Sequence, residues 1–259
     1  MTDSVKEAFS EHGPGALAIL LLLGAWQWTV QSGRVQFDYL PSPSAILLAL
    51  WAVSLSGDLL KDTIHTLEAT LLGWLIVCVI GITLGAALGY SKTLRGYTMA
   101  SIELARPLPG VAFVPVALLL FGFSMRTELL VIAIPSLWPI LINTMGGVLA
   151  IHPRLFDVAK MLRFSRVQIF RKILIPAALP SIVVGCRLSL GLALVMAIIA
   201  EIVGNPEGLG YAVVREQQAM APDRMFAYVF AIGILGVAFN SALQALSRRF
   251  VPHPSSAQH

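Results

Sequence analysis

The chain is short of charge. Only 12% of its 259 residues are Asp, Glu, Lys or Arg, about half the share usual in a soluble domain. Acids are the scarcer sign, 14 against 18 Lys and Arg. Cysteine is nearly absent. The two, Cys78 and Cys186, both lie in apolar runs, which argues against a disulfide framework. No H-E-x-x-H, C-x-x-C, nucleophile elbow or nucleotide-binding loop occurs. Residues 85–93, GAALGYSKT, have the wrong spacing for a phosphate loop, which needs four residues between its glycines and then Lys-Ser/Thr directly. Paired acids or histidines within the apolar runs, the mark of a membrane enzyme, are also missing.

Apolar sequence fills the space. Hydrophobic residues make up 57% of the chain, and the mean hydropathy is +0.80. Apolar runs at 13–33, 69–91, 107–125, 129–151, 176–202 and 225–247 are each long enough for a membrane crossing. The sequence therefore predicts an all-α polytopic membrane protein with six transmembrane helices, a single integral domain over 1–259. Residues 1–12 read as a short polar tail and 250–259 as another. A cleaved signal peptide fits the first run poorly, because no basic region precedes it. FDYLPSPSAI reads as a proline turn, and Ile46, Leu47, Leu50 and Trp51 predict an interfacial helix after the first span. Gly81, Gly85 and Gly89 recur every four residues, so they share one helix face and permit close packing. Pro107, Pro109 and Pro115 make the third run irregular, and residues 203–224 read as a loop.

The net charge of +4 would suggest nucleic acid in a soluble protein. Here the basic residues cluster between apolar runs, where they set orientation. Arg154, Lys160, Arg163, Arg166, Arg171 and Lys172 all fall within 152–175, against one acid, Asp157. With both termini inside, Lys6, Lys92, Arg95, these six, Arg248 and Arg249 lie on the cytoplasmic side. Arg34, Lys61, Arg126, Arg215 and Arg224 lie outside. Within the basic loop, Leu155, Val158, Ala159 and Leu162 recur at helical spacing, and Pro153 stands near the first turn. Ser165 with Gln168 has the form of a capping box that starts a second helix. Such a helix–turn–helix suits the transfer of motion from a soluble partner; a plain solvated loop that only sets orientation is the alternative.

Arg187 lies 11 residues past Pro176, about 16 Å along a helix and near the middle of a layer about 30 Å thick. It should face the bundle interior, either clamping helices or meeting an anionic solute. Glu201 is an acid near the end of the same run. A secondary transporter or channel working without ATP would place more ionisable groups at the midplane and often show internal repeats.

The central loop resembles the EAA loop of bacterial ABC-importer permeases, with pattern E-A-A, three residues, G, nine residues, I-x-L-P. Asp157-Val158-Ala159 stand for E-A-A, and Ile173-Leu174-Ile175-Pro176 for I-x-L-P at the right distance. LPSPSAIL from Leu40, IELARPLPGVAFVPVALLLFG from Ile102, PILINTMGGV from Pro139, ILIPAALPSIVVGCRLSLGLA from Ile173 and GLGY from Gly208 resemble the nitrate/sulfonate/taurine/bicarbonate branch. The resemblance runs from Trp26 to Phe250. It departs at Arg163, where the family has glycine, and at Val158, where it has alanine.

The resemblance implies a type I ABC-importer permease fold and alternating access for a small solute such as a sulfonate, taurine, nitrate or bicarbonate. It implies a bacterial inner-membrane location, a second permease copy, two cytoplasmic ATPase subunits and a periplasmic solute-binding protein. ATP and Mg would sit on the ATPase, with no cofactor on this chain. Asp157, Ala159, Lys160, Leu162, Arg163 and Ser165 become the coupling residues. Ala159 and Leu162 should share a face covered by the ATPase, and Arg163 should force the turn to be made differently or pair with an acid on the partner. Arg187, Ser189, Met196, Asn143 and Glu201 become pathway candidates.

Overall fold

The computed structural model describes residues 2–32 and 39–250, apart from some side chains near the ends of that range and that of Lys160. Part of the expected proline turn and most of the 250–259 tail lie outside the described residues. The elements are helical throughout: α1 (Thr2–Gln31), α2 (Pro43–Ser56), α3 (Asp58–Tyr90), α4 (Lys92–Ala105), a 3-10 turn (Gly110–Phe113), α5 (Val114–Phe121), α6 (Met125–Leu149), α7 (Arg154–Met161), α8 (Arg166–Ile169), a π-helical turn (Phe170–Leu174), α9 (Ile175–Gly204), α10 (Gly208–Gln218) and α11 (Pro222–Phe250). Among the described residues four helices are long and apolar enough to cross a membrane, or five if α4 with the helical stretch Gly110–Phe121 makes one bent span. The apolar part of α1, Leu17–Gln31, is shorter. Two sequence expectations change. The 1–12 tail is helical from Thr2, and the supposed loop 203–224 contains α10.

The chain forms two compact units. In the smaller, residues 1–60 and 212–231, α2 begins at Ser42, whose hydroxyl accepts from the Ala45 amide at 3.3 Å. Pro43 sits where its missing N–H costs nothing. The helix ends at Gly57, in the left-handed region at φ 84°. Ile46, Ala49 and Ala227 form this unit's core with Trp26, Leu50 and Phe226. Leu47, Leu48 and Trp51 are exposed, so the apolar residues of α2 divide between this core and an open face. Gln27 ties α1 to α2 by donating to Ser44 Oγ at 2.9 Å and accepting from the Ser44 amide at 3.1 Å.

In the larger unit, α3, α6 and α9 pack through small residues. A Cβ on Gly73 would meet Ile132, on Gly81 Ile140, on Gly85 the Leu141 carbonyl and on Gly89 Val148, each at under 3.0 Å. The glycine face read from the sequence is therefore the seam between α3 and α6. Gly147 against Ser181 and Gly185 against the Pro139 carbonyl bring α6 and α9 equally close. The core beside the seam is alanine-rich, with Ala69, Ala117, Ala193, Ala197 and Ala200 packed around Val131, Ile132 and Met196. In lipid, close backbone approach replaces the missing hydrophobic drive between helices. Trp74 Nε1 donates to the Cys186 carbonyl at 3.0 Å, and the free thiols of Cys78 and Cys186 lie 3.7 Å apart. Leu75, Val79 and Leu84 on the other side of α3 are exposed.

The third apolar run is not one helix. Ser91 caps α4 by accepting from the Leu94 amide. The chain then breaks at Pro107 and Pro109 and resumes at an angle of 88°. Proline denies the backbone an N–H and pushes its predecessor out of helical geometry.

Candidate functional site

The basic loop starts where α6 ends. His152 Nδ1 accepts from the Arg154 amide at 3.2 Å, and the His152 and Pro153 carbonyls accept from Leu155 and Phe156. The apolar stripe of α7 is divided between two faces. Phe156 and Ala159 point inward. Ala159 is fully buried in a cluster with Ala86, Val148, Ile151 and Ile169, and the Phe156 ring lies 5.8 Å from that of Tyr90. Leu155, Val158, Met161 and Leu162 point outward and are exposed. The expectation that Ala159 and Leu162 share a partner-facing surface is thus corrected. Ala159 is already covered by its own chain, and Leu162 stands on the free face with Leu155 and Val158. Asp157 sits in the first turn of α7, where a negative charge favours the helix dipole. The Lys160 side chain lies outside the described residues.

The turn after α7 also departs from expectation. Arg163 takes the left-handed conformation itself, with φ 52°. The Phe164 amide reaches back to the Ala159 carbonyl at 2.9 Å, and both residues sit in the same apolar cluster. This is a Schellman ending, with Arg163 at the position that glycine normally fills. The turn the family pattern calls for is made, with a side chain in the costly place. Ser165 then opens α8 with a complete capping box. Its amide donates to Gln168 Oε1 at 2.7 Å, and its hydroxyl accepts from the Gln168 amide at 3.3 Å. Lys172 Nζ lies 5.1 Å from the centre of the Phe164 ring. Beyond the cap the backbone runs on without a break through the π turn into α9, so the turn is joined to a span of 39 residues, Arg166–Gly204.

The pathway candidates separate. Arg187 is exposed on this chain rather than enclosed, and it clamps α9 to α11 by donating from Nε and Nη2 to Asn240 Oδ1 at 3.3 and 3.1 Å. Ser189 is buried and donates to the Ser136 carbonyl at 2.7 Å. Met196 lies in the core. Asn143 is half-buried and donates to the Pro139 carbonyl at 2.7 Å. Glu201 is 1% exposed. Of the five, Arg187 is the one on an open surface.

Glu201 belongs to a polar cluster at the end of the spans opposite α7. Its Oε2 accepts from the Gly210 amide at 2.8 Å. Gly208, at φ +89°, lies so close that a Cβ there would collide with the carboxylate. The GLG stretch is thus a backbone wrap around a buried acid. His65 of α3 joins it, with Nε2 3.0 Å from Glu128 Oε1 of α6 and Nδ1 3.3 Å from Glu207 Oε2. The Asn205 side chain donates from Nδ2 to Glu128 Oε1, and the Leu209 backbone amide donates to Thr66 Oγ1 at 3.0 Å. Sequence reasoning singled out Glu201 but missed His65, Glu128 and Asn205. The usable signal was position. His65 and Glu128 are ionisable groups at the borders of apolar runs, where such groups tend to be functional.

Comparison with known proteins agrees with the fold. Residues 79–254 match the family model described as the binding-protein-dependent transport system inner membrane component. The chain is 32% identical to the putative aliphatic sulfonates transport permease protein SsuC of Bacillus subtilis, over 92% of this chain and 86% of that one. It is 29% identical to the taurine transport system permease protein TauC of Escherichia coli, over 94% and 90%. The nitrate import permease protein NrtB of Leptolyngbya laminosa is 27% identical, over 92% and 88%. A solved structure of the MetNI methionine ABC transporter, in an inward-facing conformation, superposes with TM-score 0.62 at 19% identity, covering 76% of this chain and 98% of that one. With these matches across the helices, the basic loop and the GLG wrap, the chain belongs to the family of inner-membrane components of binding-protein-dependent transport systems.

Proposed function

We propose that the chain is the permease subunit of an ATP-driven ABC importer, moving a small solute of the sulfonate, taurine or nitrate kind into the cytoplasm by alternating access. The observation that carries this reading is the outward face of α7. Leu155, Val158 and Leu162 lie exposed at helical spacing, on a helix fixed below by Ala159 and behind by the Schellman turn and capping box. A solvated loop that only set orientation would need neither an apolar outer face nor a locked exit. A helix presenting i, i+3 and i+7 apolar anchors suits a groove on a soluble partner, here a cytoplasmic ATPase that carries ATP and Mg.

The rest of the proposal follows from the family. Six crossings with both termini in the cytoplasm take α1 as the first and the bent pair as the third. A second permease copy faces the first across the pathway, and a periplasmic binding protein delivers the solute. Arg187, exposed and oriented by Asn240, supplies a positive charge on that surface for an anionic solute. In physical terms the permease is a two-state element, and ATP and loaded binding protein bias it through differential contacts.

The test uses Leu162→Asp. Leu162 is exposed on the isolated chain, so the variant folds and inserts normally while its charge is desolvated in the docked groove. Recovery of the ATPase from detergent extracts should fall at least tenfold, with transport lost. Ala159→Asp is the poorer probe, because burying an unpaired charge inside the chain also unseats α7. Equal ATPase recovery by wild type and Leu162→Asp, with transport intact, would overturn the coupling role.

A further inference from the structure

The polar cluster has a feature that helix packing does not require. Glu128 is 0% and Glu201 1% exposed. In each, one carboxylate oxygen, Glu128 Oε2 and Glu201 Oε1, is buried without a hydrogen-bond partner. Among the described residues His65 is the cationic side chain paired with Glu128, and no lysine or arginine pairs with either acid. Two buried carboxylates thus lie within 4.8 Å of one imidazole, and a low-dielectric site relieves such a charge either by protonating an acid or by taking up a further positive partner.

We propose that His65, Glu128 and Glu201 bind a divalent transition-metal cation of the zinc class, clasping the ends of α3, α6 and α9. One donor atom from each of the three lies within 4.8 Å of the others. Zinc with bonds of about 2.1 Å sets its tetrahedral ligands roughly 3.4 Å apart, and His65 Nε2 is already 3.0 Å from Glu128 Oε1. Rotation of the carboxylates and of the Asn205 side-chain amide, which now meets both of these atoms, would close the remainder. The imidazole points to a borderline metal rather than to calcium or magnesium, which take mostly oxygen ligands. The outer shell fits as well. Metal-bound histidines commonly present their other ring nitrogen to a carboxylate, and His65 Nδ1 faces Glu207 at 3.3 Å. The GLG wrap holds Glu201 from behind through the Gly210 amide. Such a cation would neutralise the buried acids and fasten three helix ends on the side away from the coupling helix.

The experiment is metal retention by the full-length, tag-free chain in detergent. It is equilibrated with Zn²⁺, desalted and analysed by inductively coupled plasma mass spectrometry. We expect about one zinc per chain and a higher thermal midpoint with zinc than with chelator. His65→Gln and Glu201→Gln should each weaken zinc binding at least tenfold and abolish the thermal shift, while size-exclusion profile and helicity without zinc stay as in wild type. Glu207→Gln should weaken binding less. The wild-type thermal comparison keeps the proposal exposed even where a variant fails to fold. Wild-type chain that retains no zinc and shows no shift overturns it, as does a folded His65→Gln that retains as much as wild type.

Discussion

Arg163 is the residue where the chain departs most plainly from what its backbone prefers. A left-handed φ costs a residue with a Cβ about 1 kcal/mol or more, and glycine avoids this. The Schellman hydrogen bond and the Phe164 contact at the turn hold Arg163 there anyway. Arg163→Gly should therefore stabilise the isolated chain by about 1 kcal/mol and raise its thermal midpoint by roughly 2–4 °C. Arg163→Val, branched at Cβ, should lower it. Scanning fluorimetry in detergent reads both; a lower midpoint for the glycine variant would mean that the arginine side chain holds the turn through contacts worth more than the strain. An arginine at this turn fits the docking proposed for α7, where its side chain would serve a contact outside the isolated chain.

At the scale of the element, the glycine seam of α3 makes the sharpest expectation. A Cβ on Gly85 would lie 2.6 Å from the Leu141 carbonyl oxygen, a backbone atom that cannot step aside. Gly96 of α4 has open space around its Cβ position. Gly85→Ala should destabilise by about 1–3 kcal/mol, whereas Gly96→Ala should be neutral or stabilising by up to about 1 kcal/mol. Paired melting curves decide it, and equal losses at both sites would dissolve the seam. The seam was legible because a four-residue repeat maps directly onto one helix face. The capping box at Ser165 was legible for the same reason, as a local pattern. The split of the α7 stripe was not, since Ala159 and Leu162 differ only in which neighbour covers them, and that neighbour is the distant cluster around Ala86 and Val148. Prolines announced an irregular third run but could not give the 88° bend between α4 and Gly110–Phe121. His65, Glu128 and Glu201 meet only after three helices are aligned, so no local window could join them.

For the whole molecule the issue is which end faces which compartment. The basic loop and the His65–Glu128–Glu201 cluster occupy opposite ends of α6 and α9: Glu128 is in the first turn of α6, and α7 follows its last. The 25 residues of α6 span roughly 37 Å at 1.5 Å per residue, enough to cross a hydrocarbon layer. A cysteine at Val167 should react with an impermeant maleimide only from the cytoplasmic side, and one at Pro206 only from the periplasmic side. Both positions are exposed, and the native thiols lie within the spans, so wild-type chain serves as the blank. Labelling of both from one side would reverse or break the topology. The fold class was readable at this scale because low charge, apolar runs and one basic loop are global features, whereas the family came from the resemblance of particular stretches such as the basic loop. The number of crossings was less so, since the apolar part of α1 is short.

The π turn at Phe170–Leu174 has a consequence in the language of insertions and deletions. It houses one residue more than an α turn would, between the cap at Ser165 and the long run of α9 to Glu201. Anywhere else along Arg166–Gly204, removing a single residue swings everything beyond it by about 100°, turning Ser189, Met196 and Glu201 off their faces together. Within the π turn, the same loss straightens the helix and leaves the two ends in phase. Length variation between relatives along this stretch should therefore collect in those five residues, a built-in slack between the capped turn at Ser165 and the far end of α9.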